Sequence, residues 1–275
     1  GSTNSGSETR PGSGTASGGS GGSGSVPHSG TGSGSGHAGG SSPGPSGTSF
    51  RPAIVETETG GGANITVEVH QGNILCPSLG VHCIVNAANG QLRHEGGIAK
   101  GIALQAGERE LNLKCQQALR THNARGVTFG PGQCLITESC HLKNVSSVEY
   151  IAHAVAPMYS KATEATNVIA FRNTIFEVLN GVSKLGSVTS IAMPLIGSMN
   201  FCWPHVTASK LIVDEILKWI RDCPRHSNLK RIVLIDKDKS KALLMKKDLH
   251  LHFPGGLDAA RTRAASSPLP NLRQP

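Results

Sequence analysis

Two asparagines close an apolar run at Ile84-Val85-Asn86-Ala87-Ala88-Asn89, and a glycine pair follows at Gly96-Gly97 just before a helix-like pattern opens. Side-chain amides donate and accept hydrogen bonds, and glycine lets a backbone come close to a bound group. Residues of these types beyond the end of a strand suit a phosphorylated ligand. A second block, residues 194–204, reads Pro-Leu-Ile-Gly-Ser-Met-Asn-Phe-Cys-Trp-Pro and again ends an apolar run in a glycine. A third turn, His70-Gln71-Gly72-Asn73-Ile74, follows a short alternating stretch.

The elements that must position these turns can be read from periodicity. Residues 65–69 alternate like a strand, and residues 81–87 read as a buried one. Helical periodicity runs over 97–106 and again over 108–122, broken at Gly107. Residues 134–137 and 150–155 are strand-like. Residues 163–185 carry Val168, Phe171, Ile175, Val178, Leu179 and Val182 at helical spacing, one apolar stripe. A buried strand over 191–196, a helix over 206–220, a strand over 231–235 and a closing helix over 239–249 complete the pattern. Strands alternating with helices of this length imply an α/β fold with a largely parallel sheet covered on both faces. Ligands in such sheets sit beyond the carboxyl ends of the strands. The turns after Val85 and after Leu195 both follow a strand, so they are expected on one edge.

Composition sets the limits of the domain. Of the first fifty residues 17 are Gly and 15 are Ser, too few buriable side chains to offset the entropy of ordering. Residues 1–62 are therefore expected to be a disordered linker, 63–250 a single domain, and 251–275 a disordered tail. The net charge is +8, with lysines gathered at Lys237, Lys239, Lys241, Lys246 and Lys247. These read as a solvated helix face. Aromatic residues are too scarce to support base stacking, which leaves nucleic acid a weakly supported partner. The seven cysteines form no CxxC and no Cys/His group at zinc spacing, and read as reduced thiols of an intracellular protein, nuclear or cytoplasmic. No apolar run is long enough to span a membrane. No catalytic residue and no metal ligand stands out.

The Val-Asn-Ala-Ala-Asn block, its spacer and the glycine pair resemble the signature of the macro domain, an ADP-ribose-binding module, of the type found in ADP-ribosyltransferase-associated and viral proteins. The resemblance covers roughly residues 63–249 and implies a three-layer α/β/α sandwich with a mixed, largely parallel sheet. It also implies a ligand, ADP-ribose, with no further cofactor. Asn73 stands where the family has the Asp of a Gly-Asp-Ile turn that accepts from the adenine amino group, with Ile74 beside it. An amide can still accept that bond, without the charge assistance of roughly 1 kcal/mol. The resemblance places Asn89 at the distal ribose, Asn86 as a brace of the loop beside Ala88, and His94 near the distal ribose. It puts Gly96, Gly97 and Ile98 in the first ligand loop. Residues 194–204 resemble the family's Pro-x-Ile-Gly-Thr-Gly-x-Tyr-Gly-x-Pro phosphate loop. That assigns Gly197, Ser198, Met199, Asn200 and Phe201 to the ligand, with Phe201 over the distal ribose. Residues 151–157 resemble its His-x-Val-Gly-Pro strand end.

Four departures from the family pattern replace glycine: Glu95, Met199, Cys202 and Ala156. Where such a position needs positive φ, the cost is about 1–2 kcal/mol, roughly tenfold in affinity. A Glu95 carboxylate about 4 Å from a phosphate would cost a few kcal/mol more, and far less if it faces solvent. Weak binding is the expectation. One hydrolase branch of the family has an Asp after the glycine run, and this chain has Ala99 and Lys100. Three readings stand: a module that binds free ADP-ribose or ADP-ribosylated proteins, a hydrolase that removes ADP-ribose, and a scaffold that has lost the ligand. The flexible N-terminus reads as a tether for a monomeric domain within a larger protein.

Overall fold

The computed structural model describes residues 51–58, 64–222 and 227–253. The linker expected before residue 51 and the tail expected after Phe253 lie outside them. Seven strands form one sheet: β1 Ala53–Glu58, β2 Asn64–Gln71, β3 Cys83–Ala87, β4 Gln133–Glu138, β5 Tyr150–Val155, β6 Ser190–Met193 and β7 Arg231–Asp236. Their order is β1-β2-β7-β6-β3-β5-β4. The five inner strands run parallel, while β1 and β4 close the two edges antiparallel to β2 and β5. The helices are α1 Gly97–Ala106, α2 Glu108–Asn123, a short α3 Leu142–Val145, α4 Glu164–Ser183, α5 His205–Asp222 and α6 Lys239–His252.

Strand side chains alternate between faces, and here both faces are apolar. Ile84, Ile151 and Val233 pack with Ile102, Leu111 and Cys115 of α1 and α2. Val85, Ile232 and Leu234 pack on the opposite face with Ile175, Leu179, Ile212 and Ile216 of α4 and α5. That is the three-layer sandwich implied by the alternation of elements. Strand β6 stops at Met193 because Pro194 has no N–H to give the ladder. Asp238 caps α6 by accepting from the backbone N–H of Ser240 at 2.8 Å, which sets Lys241 in the first helical turn.

The expected boundary at residue 63 is corrected by β1. Residues 53–58 belong to the domain, because Ala53 and Val55 are buried in the core and the strand pairs with β2 from Ala53↔Val69 to Glu58↔Asn64. At the other end α6 continues to His252, two residues past the expected limit.

One ion pair crosses two neighbouring strands. Arg231 of β7 donates through Nε and Nη2 to the Glu68 carboxylate of β2, at 2.8 and 2.9 Å, and through Nη1 to the carbonyl of Leu79. Burial raises the Glu68 carboxyl, but hydrogen bonds from His70 and Arg231 outweigh it and hold its pKa at about 2.

Candidate functional site

Three turns meet at the carboxyl ends of β2, β3, β6 and β7, around a cavity of about 340 Å³. That lies within the size of small-molecule sites. The first wall is the turn after β2, where Gly72, Asn73, Ile74 and Leu75 face inward. The Gly72 N–H is held by the carbonyl of Asp236 at 2.9 Å, and Asn73 Oδ1 accepts from the Leu75 N–H at 3.2 Å. Asn73 therefore shapes its own turn while lining the cavity.

The second wall is the N-terminus of α1. Gly96 is extended and Gly97 has φ of +56°. The first intrahelical bond returns from Lys100 to Gly96. The N–H groups of a first helical turn have no acceptor within the helix. Gly96, Gly97, Ile98 and Gly101 line the cavity, so this wall brings the free donors of a helix N-terminus to it.

The third wall is the loop after β6. Gly197 has φ of +78°, and a β-carbon there would lie 2.8 Å from Phe171 and 3.0 Å from Trp203. Trp203 anchors the loop: its Nε1 donates to the carbonyl of Pro157 at 2.7 Å, and its ring packs on Phe171 and Tyr159. Ser198 Oγ donates to the Leu195 carbonyl and accepts from Lys241 Nζ at 3.2 Å, linking the loop to α6. Phe201 is half-buried at the cavity, whereas Met199 is 64% exposed at its mouth, its sulfur close over Gly97.

The cavity thus gathers Asn73, Ile74, Gly96, Gly97, Ile98, Gly197, Ser198, Met199, Asn200 and Phe201. The other four expected residues do not line it. Asn86 is buried, its amide 3.1 Å from His153 Nδ1, and ties β3 to β5. Ala88 is buried and donates to the Ala154 carbonyl. Asn89 turns onto its own loop: Oδ1 accepts from Gln91 and Arg93, and Nδ2 donates to the Arg93 carbonyl. His94 is buried beneath the loop, with Nδ1 3.0 Å from Asn112 Oδ1. The sequence pattern gave no reason to select Lys241, which reads there as one of a solvated lysine group, or Trp203.

The glycine replacements divide by backbone geometry. Of Glu95, Met199, Cys202 and Ala156, Cys202 alone has positive φ, at 56°. The strain expected at four positions is therefore confined to one. The Glu95 side chain is 73% exposed beside Arg93 and faces away from the cavity. Cys202→Gly is expected to stabilise the domain by about 1 kcal/mol through relief of left-handed backbone, while Met199→Gly brings no gain. Urea unfolding of the two variants checks the contrast, and an equal response would contradict it.

Residues 85–212 match the family model for the macro domain. The chain carries a macro domain. It is 27% identical over 154 residues to the uncharacterized protein TV0719 of Thermoplasma volcanium, covering 56% of this chain and 76% of that protein. It is 28% identical over 172 residues to the human protein mono-ADP-ribosyltransferase PARP14, covering 62% of this chain but 9% of that protein. The macro domain superposes on a structure of the Oceanobacillus iheyensis macrodomain with ADPR, with a TM-score of 0.61 at 21% identity over 74% of this chain and all of that one. It also matches the Trypanosoma brucei macrodomain in complex with ADP-ribose, with a TM-score of 0.52 at 18% identity over 66% of this chain and 68% of that one. Among the described residues of this macro domain no helix is long and apolar enough to cross a membrane.

Proposed function

We propose that the cavity binds ADP-ribose, free or carried on modified proteins, and that the domain reads this group without removing it. The convergence of the α1 N-terminus, Gly197-Ser198 and the Lys241 ammonium on one cavity carries the reading. Unpartnered N–H groups and a cation suit a diphosphate. Asn73 stands at the adenine end of this proposal, and Phe201 at the distal ribose. With strain confined to Cys202, the expected loss against an all-glycine loop is about 1–2 kcal/mol, roughly tenfold. Binding in the micromolar range, rather than the millimolar range that four strained positions would imply, is the expected result.

Chemistry on the ligand needs a group that activates water. Ala99 and Lys100 follow the glycine pair, and Glu95 faces solvent. Asp236, the carboxylate lining the cavity, sits at the β7 end with Oδ1 accepting from the Asp238 N–H. Calorimetry with ADP-ribose tests the binding, and release of ADP-ribose from a modified protein tests the absence of turnover. No heat of binding would identify a scaffold, and rapid release a hydrolase.

Lys241 supplies a sharper test. Its loss as Lys241→Gln is expected to weaken ADP-ribose binding about tenfold, the worth of one hydrogen bond to a charged group, and to flatten the salt dependence. Adenosine, which lacks the diphosphate, is expected to bind both forms alike. Undiminished ADP-ribose affinity in the variant would remove Lys241 from the phosphate site.

A further inference from the structure

Behind the ligand loop, three side chains remote in sequence meet in the interior. Cys115 Sγ of α2 lies 3.6 Å from His153 Nε2 of β5 and 4.0 Å from His94 Nε2 of the turn between β3 and α1. All three ligand atoms lie within 4.8 Å of one another, and all three residues are buried. We propose that His94, Cys115 and His153 form a site for a soft divalent cation of the zinc class, which fastens the ligand loop to α2 and β5.

The orientation of the rings supports this. His94 Nδ1 faces Asn112 Oδ1, which can only accept, so the ring proton sits on Nδ1 and the Nε2 lone pair points toward the thiol. A metal-binding imidazole is held in this way, its far N–H given to a fixed acceptor. His153 Nδ1 faces the amide of Asn86, whose Oδ1 is buried without a partner. Turning that amide over presents Oδ1 to an Nδ1 proton and frees Nε2 for the cation. Thr137 Oγ1, 2.9 Å from His153 Nε2, is a candidate fourth donor.

The donor set selects the metal. One thiol and two imidazoles with no carboxylate favour zinc over magnesium or calcium. Zinc bonds of about 2.3 Å to sulfur and about 2.0 Å to nitrogen place the two kinds of ligand about 3.6 Å apart in a tetrahedron. The Cys115–His153 pair already has that spacing. Closure on a cation brings His94 Nε2 in from 4.0 Å of the thiol and draws the two imidazole nitrogens, which lie within 4.8 Å, to about 3.3 Å of each other. Burial pushes the Cys115 thiol up to about 12 and the His153 imidazole down to about 3. A cation bonds the thiolate, and the thiol proton is released to solvent as the metal–sulfur bond forms.

The full chain, stripped with a chelator, is titrated with cobalt(II). One equivalent is expected to give tetrahedral absorption with a thiolate-to-cobalt charge-transfer band. Cys115→Ser is expected to abolish that band, and His94→Gln to weaken cobalt binding at least a hundredfold. Cys202→Ser, which removes an exposed thiol, is expected to leave both unchanged. Zinc is expected to raise the melting temperature of the natural chain and not of Cys115→Ser, as binding to the folded state alone requires. Absence of stoichiometric cobalt binding in the natural chain, or a charge-transfer band that survives Cys115→Ser in a folded variant, overturns the proposal.

Discussion

Replacing Gly197 with alanine should lower the melting temperature by roughly 10 °C and abolish measurable ADP-ribose binding. The new methyl group meets two obstacles at once. The backbone at Gly197 is left-handed, with φ of +78°, which costs a side chain about 1–2 kcal/mol. The β-carbon would also fall 2.8 Å from Phe171 and 3.0 Å from Trp203. Those rings pack at 4.6 Å on one another, and Trp203 is tied to the Pro157 carbonyl, so neither can retreat cheaply. Overpacking of this kind costs a further 1–3 kcal/mol, roughly. Gly96→Ala is the internal control, because Gly96 is extended and a β-carbon there meets nothing within 4 Å. Calorimetric melting that separates the two variants by less than a few degrees would contradict the packing argument.

Arg231→Met should destabilise the fold by about 3 kcal/mol at neutral pH, because it leaves the Glu68 carboxylate mostly buried without its bidentate partner. The pH dependence identifies the cause. Glu68 titrates near 2 in the folded chain against an ordinary value of 4.5. Its stabilisation is therefore complete above about pH 4.5 and is lost as the pH falls toward 2. The variant loses most of this benefit, so the gap between the two proteins should narrow steadily below pH 4.5. Urea unfolding at pH 7 and at pH 3 measures it. A gap of constant size would mean that Arg231 stabilises the chain by packing alone.

Elements with strong periodicity were legible without coordinates. The break between α1 and α2 falls at Gly107, as the interrupted apolar pattern implies, and the ring of His141 occupies the space a side chain there would need. The two glycine turns also meet on one edge, because parallel topology sends both to the same end of the sheet. What escaped the sequence depends on distant partners. His94 follows an exposed-looking turn, and only Asn112 and Cys115 of α2 reveal that it is buried. Asn89 has a residue type fit for a ligand, but its amide is spent on the backbone of its own loop. Lys241 belongs by composition to a solvated group, and its turn toward Ser198 follows from the Asp238 cap that fixes where α6 begins. Strand β1 stands between glycine-rich stretches, so its short alternation of Ala53, Val55 and exposed Glu56 was masked by its neighbours.

That strand also covers an edge of the sheet. A sheet edge with free N–H and C=O groups is a template for pairing with another molecule. Without Ala53–Glu58, the β2 edge from Asn64 to Val69 would be bare, carrying Ile65, Val67 and Val69 in alternation. With it, the outermost strand is a short one, entered through Pro52 and bearing the exposed Glu56, features that discourage strand addition. A segment that composition alone assigns to a spacer thus covers this edge, and trimming the chain to residue 63 is expected to bare it for strand addition.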